Sequence, residues 1–209
     1  MSELNVAKAL LEAGAVRLSP KSPFTWASGL KSPIYCDNRQ LLGHPGLRGA
    51  IADALAVRAA DLSPTLIAGT STAGIPWAAL VSDRLNLPMA YVRPEPKRHG
   101  MGRQVEGPPA DGHRVVLIED LISTGGSSLQ CVDALRREDA VVVEVLALFS
   151  YGLPQADEAF QKAGVALQVL SSFEALSEEA AARGILDAED AAALQEWRRD
   201  TVAWSRHHD

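Results

Sequence analysis

Only two cysteines occur among the 209 residues, Cys36 and Cys131. Neither has a second Cys or a His at ligand spacing, so neither a disulfide framework nor a zinc site is suggested. The chain also lacks any run approaching the roughly 20 apolar residues that a membrane span requires. Its start, MSELNVAKALLEAG, carries Glu3 where a secretory leader needs positive charge. Positive charge is in deficit overall: 20 Lys and Arg face 26 Asp and Glu, a formal net charge of −6. A general nucleic-acid binder, which releases counterions through an excess of Lys and Arg, is therefore not expected, and neither is a membrane partner. What is present, 47% hydrophobic and 22% charged residues, is ordinary for a globular protein of the cytoplasm. The length suits one domain with a substantial core.

Periodicity organises most of the chain. Leu4, Ala7, Leu10 and Leu11 share a face of a helix expected over Glu3–Ala13, with Gly14 as its stop. SPFTWASGLKSPIYCDNR, residues 22–39, reads as loop and hairpin. A helix face at Leu47, Ile51 and Leu55 follows Pro45. Apolar strands are then expected at 65–69, 88–93, 114–118, 140–149 and 165–171, alternating with helices at Gly74–Leu85, Gly126–Arg137 and PQADEAFQKAG. Near-continuous apolar strands alternating with helices imply a mostly parallel central sheet covered by helices, an α/β fold. Helices over Ser177–Arg183 and Asp187–Arg206 close the chain, Asp187 serving as an N-cap and Leu194, Trp197, Thr201 and Trp204 sharing a face.

Two segments do not fit that rhythm. The first is PEPKRHGMGRQVEGPPADGH, twenty residues with four Pro and four Gly between two strands. A loop of that length inside an α/β unit is either functional or unstructured. Residues 91–105 hold Arg93, Lys97, Arg98, His99 and Arg103 against one acid, Glu95, in a chain acidic overall, which favours function over a solvated charge run.

The second is VVLIEDLISTGG, residues 115–126, an apolar strand that runs into Glu119 and Asp120 and then a Ser-Thr-Gly-Gly turn. A buried strand with a capping acid is the bland reading. A triphosphatase would need G-x-x-x-x-G-K-[ST] as a companion, and GTSTAGIP, from Gly69, has Ile75 and Pro76 where the Lys and hydroxyl belong. No G-x-G-x-x-G follows a strand, so dinucleotide binding lacks support. Taken together, the acids can accept hydrogen bonds from sugar hydroxyls and attract magnesium. The turn offers backbone N–H groups at a helix start, which suit a phosphate. Acids for a diol beside amides for a phosphate describe a ribose-5-phosphate site.

Apolar residues, two acids, two apolar residues and [ST]-T-G-G-[ST] resemble the phosphoribosyl pyrophosphate signature of type I phosphoribosyltransferases. SGLKSPIYCD (28–37), GTSTAGIPWAA (69–79) and YVRPEPKRHGMGRQVEG (91–107) are similar to further motifs of the orotate phosphoribosyltransferases, in the same order and spacing. The resemblance implies the type I phosphoribosyltransferase fold over residues 1–209. It would have a small N-terminal hood of about residues 1–40, a core of about 45–172, C-terminal helices at 173–209 and a long mobile catalytic loop. It implies that Arg93, Lys97 and His99 bind pyrophosphate, with Lys97, His99 and Asp120 catalytic. Ser71, Thr72 and Ala73 would form the loop that touches pyrophosphate. Glu119 and Asp120 would hold the ribose hydroxyls, and Leu121, Ile122, Ser123, Thr124, Gly125, Gly126 and Ser127 would complete the phosphoribosyl pyrophosphate site. Ser123 would also meet orotate. Magnesium, held mainly through the substrate, is the implied cofactor. A homodimer whose catalytic loop reaches the partner subunit's site is the implied assembly.

The implied reaction joins orotate and phosphoribosyl pyrophosphate into orotidine 5′-monophosphate. A phosphoribosyltransferase for another base and a phosphoribosyl pyrophosphate-sensing regulator are the alternatives. The sequence departs from some relatives at Ala27 and Pro94, where a Lys occurs in those, and LFSYGLPQ holds no Arg for the orotate carboxylate. Lys31 and Arg39 are the neighbouring cations. His44 and His113 read as solvated or capping residues, and the tryptophans as packing, Trp26 excepted because it lies in the hood segment.

Overall fold

The structure is a computed structural model that describes residues 5–26, 29–94 and 104–208. Asn5 opens the first helix, α1 (Val6–Glu12), by accepting from the Lys8 N–H. Two small antiparallel pairs follow: β1 (Val16–Leu18) with β4 (Ile34–Cys36), and β2 (Phe24–Thr25) with β3 (Lys31–Ser32). A 3-10 turn at Asn38–Gly43 leads into α2 (Pro45–Asp61), whose Pro45 sits where a missing N–H costs nothing. The remaining elements are β5 (Leu66–Thr70), α3 (Gly74–Leu85), β6 (Met89–Val92), β7 (Val105–Glu106), β8 (Arg114–Ile122) and α4 (Gly126–Arg137). They are followed by β9 (Val141–Ser150), α5 (Pro154–Ala163), β10 (Ala166–Ser172), α6 (Phe173–Ala182), α7 (Ala188–Arg199) and α8 (Thr201–Arg206).

The main sheet has six strands in the order β10-β9-β8-β5-β6-β7, every pairing parallel except β6 with β7. Alternate side chains of a strand leave opposite faces, and two cores result. Val116 and Ile118 of β8 join Ile51, Leu55, Trp77 and Trp197 on one face. Val115 and Leu117 join Val132, Leu135 and Phe160 on the other. Fully burying a side chain such as Leu117 is worth about 2 kcal/mol relative to exposure, so the two-sided β8 is a major source of stability.

Chain order reverses between β5 and β8: the crossover from β5 passes to β6 on one side, and the return through β7 places β8 on the other. A parallel sheet opens a crevice at such a reversal, beyond the carboxyl ends of the strands. Thr70–Ala73 and Glu119–Ser127 both lie there.

Four local expectations require correction. The strand expected at 114–118 continues to Ile122, because β9 supplies partners as far as Ser150. Glu119 and Asp120 therefore lie inside the ladder rather than after it. The last helix is broken at Asp200, whose side chain accepts from the Val202 and Ala203 N–H groups and starts α8. Phe173, not Ser177, begins α6, because the Ser172 hydroxyl accepts from the Ala175 N–H. Within the twenty-residue basic loop, Val105 pairs with Val92 as β7. The two-residue length of β7 and the shortness of β1 left no periodic signal to read.

Candidate active site

Glu119 is 5% exposed on β8 and is held by three donors. Its Oε1 accepts from Thr70 Oγ1 at 2.6 Å and from the Asp120 N–H at 3.0 Å, while Oε2 accepts from Ser128 Oγ at 2.9 Å. Thr70 ends β5 and Ser128 lies in the first turn of α4, so one carboxylate ties three elements around the crevice. A buried carboxylate is tolerable only with such partners. Glycine makes the approach possible: a Cβ at Gly74 would run into Thr70 Oγ1 and the Ile118 carbonyl oxygen.

Asp120 is held through its backbone instead. Its carbonyl oxygen accepts from Asn38 Nδ2 at 2.6 Å. Its carboxylate borders a cavity of about 250 Å³, together with Ser71, Thr72, Ala73, Glu119 and Ser127. Burial, then the charge of Glu119, pushes the Asp120 carboxyl up to about 7, and Arg39 opposes the shift. The Ser71–Thr72 peptide on the cavity's rim is cis.

The turn after β8 places Gly125 at φ +80°, where a Cβ would sit 2.6 Å from Phe160 Cε2. Gly125 is the N-cap of α4 and no side chain caps that helix. The first-turn N–H groups are thus left for an external acceptor, reinforced by the positive end of a twelve-residue helix. Ser127 lines the cavity beside them.

A second cavity, about 240 Å³, lies across Leu121, which lines both. Its walls are aromatic: Trp26, Tyr35 and Tyr151 join Cys36, Leu121 and Ser123. Trp26 and Tyr151 stack with centroids 5.5 Å apart and planes at 26°. Tyr35 and Cys36 belong to the SGLKSPIYCD motif but carry no site role in the sequence, and Tyr151 lies outside every motif. Tyr151 stands in LFSYGLPQ, and an aromatic ring directly after a buried strand is the signal that marks it.

The structure thus brings together Ser71, Thr72, Ala73, Glu119, Asp120, Leu121, Ser123 and Ser127 around two adjoining cavities. Ile122 is 1% exposed and belongs to the core beside α4. Arg93 lies 3.6 Å from Glu106 (Nη1 to Oε1) and lines neither cavity, although Pro94 after it reaches the first. Lys97 and His99 lie outside the described residues. Lys31 donates to Thr25 Oγ1, and Arg39 pairs with Asp37. His113 Nδ1 meets Thr65 Oγ1 at the opposite end of β8, and His44 precedes α2 without capping it through its side chain. Among the described residues no three metal-ligating side chains come together.

A mostly parallel sheet with a carboxylate and an uncapped helix start at its order reversal has the layout of an α/β ligand-binding fold, with donors suited to an anion. The profile of the phosphoribosyl transferase domain matches residues 37–172. The chain is 53% identical over 204 residues to the orotate phosphoribosyltransferase of Cutibacterium acnes, spanning 97% of this chain and 94% of that one. The solved orotate phosphoribosyltransferase of Aeropyrum pernix superposes with a TM-score of 0.74 at 35% identity, over 84% of this chain and 98% of that one. Leishmania donovani UMP synthase matches with a TM-score of 0.79 at 27% identity, over 95% of this chain and 42% of that longer one. The chain belongs to the phosphoribosyltransferases and, within them, to the orotate phosphoribosyltransferase family.

Proposed function

We infer that the protein transfers the 5-phosphoribosyl group of phosphoribosyl pyrophosphate to orotate, forming orotidine 5′-monophosphate and pyrophosphate in pyrimidine biosynthesis. One observation carries the reading: a polar cavity bearing Asp120 and an aromatic cavity bearing Ser123 meet at Leu121. The first suits the sugar and its phosphates, the second a planar base.

In this reading the N–H groups and hydroxyls of Ser123, Thr124, Gly125, Gly126 and Ser127 take the 5-phosphate. Asp120 takes the ribose hydroxyls, while Glu119 mainly fixes the frame, its oxygens already accepting three hydrogen bonds. The Ser71–Ala73 loop faces the pyrophosphate, and Arg93, Lys97 and His99 complete its binding from the 91–107 segment. The bond between C1 and the pyrophosphate oxygen breaks as a base nitrogen bonds to C1, that nitrogen giving up its proton and pyrophosphate leaving with the bonding electron pair. Positive charge develops on the ribose and negative charge on the leaving group. Asp120 stabilises the first, and the loop cations, Lys97 foremost, the second.

Magnesium prefers oxygen donors and would be held mainly through the substrate's own oxygens, in the cavity that the Asp120 carboxylate lines. When bound it spreads the charge of the pyrophosphate. A cation-like ribose also reacts with water, so excluding water is a purpose for the 91–107 segment, of which 95–103 lie outside the described residues. A homodimer in which that segment serves the partner subunit's site, and a cytoplasmic location, belong to the same proposal. Among the described residues no helix is long and apolar enough to cross a membrane.

The test supplies magnesium and phosphoribosyl pyrophosphate with orotate, uracil, adenine, hypoxanthine or xanthine separately. Consumption of orotate alone is expected. Consumption of another base with orotate untouched overturns the specificity, and consumption of none overturns the enzymatic reading.

A further inference from the structure

The aromatic cavity is built from distant parts of the chain, and a helix that does not line it holds those parts together. Trp197 of α7 is fully buried. It stands edge-on to Trp26 (5.7 Å, 88°) and to Tyr151 (5.6 Å, 86°), the two rings that stack on each other in the cavity wall. Behind it, Phe173 packs at 5.5 Å. The next residue, Arg198, donates from Nε to the Gly152 carbonyl oxygen at 3.0 Å. Gly152 has φ +61°, and a Cβ there would lie 3.3 Å from Arg198 Nη2, so the guanidinium fits closely against this turn. Farther along, Ser205 Oγ of α8 accepts from the Lys31 N–H at 2.8 Å and fixes the hairpin in which Trp26 lies.

We propose that Trp197 and Arg198 are positioning residues for the base: α7 holds the stacked Trp26–Tyr151 pair in place and thereby fixes the aromatic wall that a planar base packs against. Three features support this. The grips fall on the two segments that carry those rings, the turn after β9 and the N-terminal hairpin. They do not touch the 123–127 turn or the Ser71–Ala73 loop. Trp26, Trp197, Arg198 and Ser205 also lie outside the 37–172 span that matches the phosphoribosyl transferase domain, so the brace is separate from the phosphate-handling frame. Paired aromatic rings resist sliding through their edge-to-face geometry, so a wall made this way transmits the position of α7 to the cavity.

The inference rests on the second cavity being the base site, and the experiment separates the two. Wild-type enzyme is first assayed with orotate, magnesium and phosphoribosyl pyrophosphate; absence of turnover there sinks the functional reading itself. Arg198→Met keeps the half-buried stem and removes the hydrogen bond, while Trp197→Phe keeps an aromatic ring but shortens its reach. With Trp197→Phe the orotate KM should rise about tenfold, and with Arg198→Met about threefold. The phosphoribosyl pyrophosphate KM and kcat at saturating orotate should stay within about twofold. Arg198→Lys, which retains a donor, should recover part of the loss. An unchanged orotate KM, or equal rises in both KM values, in an active wild-type background would overturn the proposal. Arg198→Met, being away from the core, carries the test if Trp197→Phe does not fold.

Discussion

Asn38 Nδ2 donates to the carbonyl oxygen of Asp120 at 2.6 Å, joining two residues 82 positions apart. Asn38 is fully buried, and its Oδ1 accepts from the Cys36 thiol at 3.2 Å. The N-terminal segment is thereby fastened to the strand that carries the acids, at the point where the two cavities meet. Truncation to Asn38→Ala leaves a carbonyl without its donor, at a cost of about 1–3 kcal/mol. The expected result is a lower urea midpoint with unchanged m-value and a fall in kcat/KM. Wild-type kinetics in that variant would mean the fastening does not bear on the site.

Gly125 sits at φ +80° with Phe160 against it. Alanine there meets both a left-handed backbone penalty of about 1–2 kcal/mol and the Phe160 ring. Gly125→Ala should therefore raise the phosphoribosyl pyrophosphate KM about tenfold or more by displacing the 5-phosphate turn. A KM indistinguishable from wild type would show that the turn does not hold the phosphate.

Asp120 provides a pH test. Burial and the adjacent Glu119 raise its carboxyl from 3.8 to about 7. Between those values the folded protein keeps a proton that the unfolded chain has released, so this group's contribution to stability is present at low pH and lost as pH rises through about 7. The Tm of the ligand-free protein should fall between pH 5 and pH 8, and Asp120→Asn should flatten that slope while abolishing most activity. Equal slopes for variant and wild type would contradict the assignment.

At the other end of the sheet, Glu144 is 5% exposed, and its Oε1 has no hydrogen-bond partner among the described residues. Burial raises its carboxyl, with Arg58 opposing. Stability is again lost as pH rises, here from the ordinary glutamate value upward through the raised one. Glu144→Gln should raise Tm at pH 8 by about 2 °C and leave kcat unchanged, since β9 begins far from the crevice. A lower Tm at that pH would contradict it.

Much of this was legible in residue order because the signals were local. Alternation of apolar strands with helices gives the sheet, and the acids followed by STGGS mark the polar half of the site. The aromatic half was hidden because its parts are contiguous only in space: Trp26 and Tyr151 meet through packing against Trp197, and Tyr35 joins them on the cavity wall. The length of β8 was also hidden, since two acids read as a strand end. Only the three donors on Glu119, drawn from three elements, explain why a carboxylate can continue a buried ladder. The same contacts divide the labour of the pair, leaving Asp120 the carboxylate more open to a ligand.

The most direct measurement is the release of pyrophosphate from phosphoribosyl pyrophosphate and magnesium, with and without orotate. Release should require orotate and match orotidine 5′-monophosphate formation one for one, because a base in the aromatic cavity completes the reacting site. Release at the same rate without orotate, or none with it, would contradict the central claim.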